Sequence, residues 1–80
     1  MDDQALFDRI NTLAHEEHEL FEKESRGEAG AEARQRLKAI EVTLDQCWDL
    51  LRQRQARRAA GLDPDEASVR DAATVEGYEG

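Results

Sequence analysis

Glu41-Val-Thr-Leu-Asp-Gln-Cys-Trp-Asp-Leu-Leu-Arg-Gln-Arg54 holds the only Trp and the only Cys of the chain and its densest apolar stripe. Across and just before it, Ala33, Leu37, Ile40, Leu44, Cys47, Leu51 and Arg54 recur at alternating steps of three and four, which places them on one face of a helix. Trp48 and Leu50 widen that face on its two sides. Residues 31–60 contain no Gly or Pro and are rich in Ala, Leu, Arg, Gln and Glu, all strong helix formers. The spacing therefore predicts one helix over about 31–60, a rod of roughly 45 Å. A stripe this apolar must be covered, and the rest of the chain is read by asking what covers it.

Upstream, Leu6, Ile10, Leu13 and Leu20 recur at helical spacing, flanked by Phe7, Ala14 and Phe21. Asp2 or Asp3 can cap the free backbone N–H groups at the start. A first helix is predicted over about 3–25, roughly 35 Å long. Glu17 interrupts its stripe and must sit at an edge or meet a base. Gly27 can take the left-handed cap position and Gly30 loosens the re-entry. So short a connection returns the second helix antiparallel, as an αα-hairpin occupying residues 1–61.

Downstream, Gly61 stops the long helix, and Leu62-Asp-Pro-Asp-Glu-Ala67 reads as a new start. Asp63 is placed to cap, Pro64 takes the first position and Glu66 stands where a capping-box acid belongs. A short third helix to about Asp71 is predicted within residues 62–80. The remainder is an acidic tail, ordered only where Val75 and Tyr78 dock.

Eighty residues make a single thin domain. Leu, Ile, Val and Phe together number only 15, so a stable fold needs reinforcement from a disulfide, a metal or a partner. One cysteine excludes an intrachain disulfide, and no zinc-type Cys/His spacing is present. A partner is what remains. Met1-Asp-Asp3 opens no signal-like segment and no apolar run reaches membrane-spanning length, so a cytoplasmic protein is expected. A net charge of −8 disfavours nucleic acid and anionic membrane as general partners. Residues 1–26 carry eight acids and three bases, 27–60 carry five acids and seven bases, and 61–80 carry six acids and one base. That alternation suits acidic segments folding against a basic one.

Three clusters carry candidate chemistry. His15 and His18, followed by Glu19 and Glu22, place possible metal ligands on one side of the first helix, although zinc needs three or four such groups at close range. The bland reading is an exposed polar face. Cys47 lies mid-helix on an apolar stripe, where a thiol acts as a small hydrophobe and lacks the base that a nucleophile requires. Arg52, Arg54, Arg57 and Arg58 form a basic helix end. They are candidate contacts to an acidic partner or to nucleic acid, or simply cations well placed near a helix C-terminus. The acidic tail could also fold back and shield them.

The Glu41–Arg54 run, the segments Ala60-Gly-Leu-Asp-Pro-Asp-Glu-Ala67 and Val75-Glu-Gly-Tyr78, and the early His15-Glu-Glu-His18-Glu-Leu20 together resemble a family of short uncharacterised proteins of high-GC Gram-positive bacteria. The resemblance covers nearly the whole chain and implies a free-standing bacterial domain of unknown function. It transfers no catalytic residue, substrate or cofactor.

The expectation is an all-α antiparallel hairpin with a short third helix or acidic tail, dimerising into a four-helix arrangement through Leu37, Ile40, Leu44, Cys47, Trp48 and Leu51. No nucleophile–base set and no phosphate loop is visible, so a non-enzymatic protein-interaction module without cofactors is expected, with an unidentified protein partner. A metal- or ligand-binding protein using His15 and His18, or nucleic-acid contact through Arg52–Arg58, are the alternatives.

Overall fold

A computed structural model describes residues 2–76. Two long helices dominate it: α1 over Asp3–Ser25 and α2 over Ala31–Ala59. The Asp2 side chain accepts a hydrogen bond from the Ala5 backbone N–H at 2.7 Å and so caps α1. Gly30 begins α2 with no side-chain cap. Both long helices end alike. Gly27 and Gly61 take left-handed φ angles of 73° and 75°. The N–H groups of Glu28 and Leu62 then reach back to the Lys23 and Arg57 carbonyls. This closure depends on glycine, because a side chain strains the left-handed conformation.

The hairpin buries Leu6, Ile10 and Leu13 of α1 against Ile40, Cys47, Leu50 and Leu51 of α2, with Leu20 and Leu44 packed at the edge. Leu37 is buried as well, and Ile40 is wholly enclosed at 0% exposure. The apolar stripes read from the sequence are thus taken up inside one chain. Leu37, Ile40, Cys47 and Leu51 were expected to line an interface between copies; here α1 and the C-terminal segment cover them. Of the six residues in that expectation, only Trp48 and part of Leu44 stay open. Glu17, the acid in the α1 stripe, is half-buried.

After Gly61 the chain doubles back along α2 as a strap, residues 62–76. Asp63 caps as anticipated, accepting from the Asp65 N–H at 2.9 Å. The helix it starts is only a 3-10 turn, Pro64–Glu66, and does not run on to Asp71. Ala67 turns extended at φ −68°, ψ 144° and packs on the core. Two glutamines of α2 explain the stop. Gln53 Nε2 donates to the Ser68 carbonyl at 2.9 Å and Gln46 Nε2 to the Arg70 carbonyl at 3.2 Å. These contacts hold the strap's carbonyls in an extended run along α2, where a helix would have used them internally. Asp71 then starts a helix instead of ending one: its side chain accepts from the Thr74 N–H at 2.7 Å and opens α3, Ala72–Glu76. Val75 is half-buried there. Tyr78, the other anticipated anchor, lies outside the described residues.

Among the described residues no helix is long and apolar enough to cross a membrane. The molecule measures 50 × 28 × 15 Å between Cα extremes, a slab made of the hairpin with the strap laid along it. A slab this thin has broad faces, and the strap covers one side of the hairpin only.

Candidate interaction surface

The strap is held by a chain of ion pairs. Asp49, 3% exposed, lies on the side of α2 away from α1. It accepts two hydrogen bonds from the Arg70 guanidinium, one of them from Nε at 2.8 Å, and a third from Gln53 at 2.9 Å. Arg54, 4% exposed, joins three elements. It donates to Asp3 of α1 at 2.6 Å and to Asp65 and the Pro64 carbonyl of the 3-10 turn at 3.0 and 3.2 Å. Arg57 donates to the Asp63 carbonyl and to Glu66, both at 2.6 Å, and Arg58 pairs with Asp3 at 2.6 Å. Midway along the hairpin, Arg36 grips Glu16 through two hydrogen bonds of 2.6 and 2.8 Å.

Of the four arginines expected to contact a partner, therefore, three are engaged within the chain and Arg54 is buried. Only Arg52 of that group makes no ion pair among the described residues. The physical reason is charge: Asp3, Asp65 and Glu66 lie over the basic helix end, as the tail's composition allows. His15 and His18 are exposed, their Nε2 atoms 3.1 Å from Glu19 and Glu22 respectively. These are two separate pairs, and among the described residues no three His, Cys, Asp or Glu side chains gather as a metal-binding group.

These pairs set the acid response. The Arg70 hydrogen bonds hold the Asp49 carboxyl below the usual carboxylate range, against the opposing effect of burial. Arg58 and then Arg54 do the same for Asp3, and Arg36 for Glu16. A folded pKa below the unfolded one contributes stability that is complete above the unfolded value, near 4, and is lost as pH falls through the folded value. Thermal melts followed by circular dichroism should therefore be flat from neutral pH down to about pH 5 and fall steeply below about pH 4. A melting temperature unchanged at pH 3 would disprove the carboxylate clamps.

Cys47 is buried beneath the strap. It lines a crevice of about 120 Å³ with Leu6, Arg9, Thr43, Gln46, Leu50 and the strap residue Val69. Its thiol should react with a disulfide reagent far more slowly in the folded chain than in denaturant, and Arg70→Ala should speed the folded-state reaction by loosening the strap. Equal rates with and without denaturant would show that the crevice stands open.

Among the described residues, none covers the other side of the hairpin. Successive helix residues turn by about 100°, so two positions apart means nearly opposite sides. Leu50 lies beneath the strap, and Trp48, two residues away, is 46% exposed. Arg9 lines the crevice, and Phe7, two residues away, is 39% exposed. Phe21 follows Phe7 at fourteen residues, again on the Phe7 side, and is 46% exposed. Phe7, Phe21 and Trp48 thus share the face away from the strap. Phe7 and Phe21, predicted to flank the core stripe, lie outside the core and in water.

The family model for proteins of unknown function named DUF2630 matches residues 2–80. The chain belongs to DUF2630. This DUF2630 chain is 59% identical over 54 residues to the uncharacterised proteins Mb0922c of Mycobacterium bovis and Rv0898c of Mycobacterium tuberculosis. The match spans 68% of this chain and 62% of each mycobacterial protein. The family and the organisms agree with the resemblance carried by the Glu41–Arg54 run. No solved structure matches the DUF2630 chain.

Proposed function

We propose that this protein is a non-enzymatic, cytoplasmic protein-interaction module that binds through the open side of its hairpin. The observation carrying this reading is the exposure of Phe7, Phe21 and Trp48 on one face of a chain whose core is otherwise closed. Three large aromatics left in water on one side are unfavourable for a monomer, and aromatic residues are the type enriched where proteins meet. The basic helix end supports nucleic-acid contact less well, because Arg54, Arg57 and Arg58 already face carboxylates of their own chain. Likewise, the exposed His15–Glu19 and His18–Glu22 pairs do not converge as metal ligands.

The test replaces Trp48 with a photoreactive phenylalanine analogue in the native host. Irradiation should give a discrete covalent adduct with a protein, and the same analogue at Val69, on the strap, should not. Absence of any adduct at position 48 would overturn the reading.

A further inference from the structure

Resting on that reading, we infer that the occupant of the open face is a second copy of this chain, seated along an uncharged seam of α1. Gln4, Phe7, Asn11, Ala14, His18, Phe21 and Ser25 follow one another at steps of three and four over the whole helix, and all seven are exposed. None is Asp, Glu, Lys or Arg, although nine of the 23 residues of α1 are. A solvated helix face normally carries the charges; here they are placed everywhere else on the helix. Charge-free spacing of this kind, with apolar residues at alternate positions and Asn among the polar ones, is the pattern of a helix–helix seam. Charged groups are depleted from such seams because desolvating an ion is costly.

The partner's chemistry follows from the edges. On α2, Arg34 stands fourteen residues before Trp48, on the same side of the helix as the exposed Glu41, Asp45 and Arg52, and makes no ion pair among the described residues. In the hairpin, α1 runs antiparallel to α2 with Asp3 level with Arg54 and Glu16 level with Arg36. A two-fold axis parallel to the helices lays the α1 of one copy over the α2 of the other at this same level. That brings Glu22 opposite Arg34, so each copy supplies an acid to the other's base. It also sets Phe7 of each copy beside Trp48 of the other. The face is two helices wide and as long as α1, roughly 35 × 20 Å or about 700 Å² per chain, close to the roughly 800 Å² per partner of a standard interface. The assembled dimer is a four-helix bundle with a strap on each outer side.

Light scattering over a concentration series should give about twice the 9.1 kDa chain. Phe7→Glu/Trp48→Glu should raise the dimer dissociation constant by about a hundredfold or more while leaving the helical circular dichroism intact. Because the aromatic substitutions could disturb folding, Asn11→Glu/His18→Glu provides a second test at positions already in water, with the same expected dissociation. Arg34→Glu should weaken the dimer, and Glu22→Arg on the same chain should restore it. Val69→Glu should change nothing. A wild-type monomer across the series, or a dimer indifferent to both double variants, overturns the inference. The crosslink at position 48 separates the two levels. An adduct of about twice the chain mass supports the second copy; an adduct with a different protein overturns it and leaves the interaction module standing. No adduct removes both.

Discussion

Ile40→Ala is expected to remove about 3 kcal/mol of folding stability, the middle of the range for emptying a buried aliphatic site. Ile40 is wholly enclosed and belongs to the core cluster that Leu6, Ile10 and Leu13 of α1 form with Cys47, Leu50 and Leu51 of α2. The cluster is one layer deep, so no second layer can move in to fill the void. A chain of 80 residues has roughly 4–12 kcal/mol of stability in all, so the loss is a quarter or more of the total. For a domain of this size it corresponds to a fall of about 15 °C in melting temperature. Urea unfolding of wild type and variant measures it directly. Trp48→Ala, at an exposed site, should cost under about 1 kcal/mol in the isolated chain. Equal losses at the two positions would mean that α1 does not pack on the Ile40 face.

The hairpin was legible because it rests on local rules. Periodicity locates both stripes, and glycines at 27 and 61 mark helix ends that only a left-handed residue closes well. What covers each side of the stripe was not legible. Trp48 and Leu50 look equivalent in the sequence, one on each margin of the stripe, yet the strap buries Leu50 and leaves Trp48 open. That outcome depends on where residues 62–76 return, a contact across twenty positions that no short-range pattern encodes. The charge alternation along the chain did foreshadow acids over the basic helix end. It did not say that Arg54 would be buried or that Asp3 would share it.

Local chemistry misled at the strap itself. Asp63-Pro64-Asp65-Glu66 has every residue that a helix start wants, and it begins one. The turn then yields to tertiary bonds from Gln46 and Gln53 that draw the following carbonyls toward α2. A capping signal fixes a beginning and says nothing about length. The α1 seam was legible in principle. Phe7 and Phe21 share their row with Ala14, and the next row holds Gln4, Asn11, His18 and Ser25, all uncharged. Reading only apolar positions makes Phe7 and Phe21 flanks of the core stripe. Noting where charge is missing places them on an uncharged strip of the α1 surface.

Arg70→Leu is expected to destabilise the chain by about 2 kcal/mol, below the usual 3–5 for breaking a buried ion pair because Arg70 is itself partly exposed. The loss arises at Asp49, whose buried carboxylate keeps only Gln53 when the guanidinium is gone. Asp49→Leu should cost less, since Arg70 can turn its charge to water. The double variant Asp49→Leu/Arg70→Leu then decides what the pair is for. Two apolar side chains of suitable size often replace a buried ion pair at little net cost, because neither charge need be desolvated. If the double variant recovers most of the stability lost by Arg70→Leu, the pair contributes little net stability and instead fixes where the strap lies. Slow Cys47 labelling in the double variant would then show the strap still seated; fast labelling would show it seated only when the charges hold its register. If the two single losses simply add, with no coupling in the cycle, then Asp49 and Arg70 do not depend on one another and the clamp is not what holds the strap.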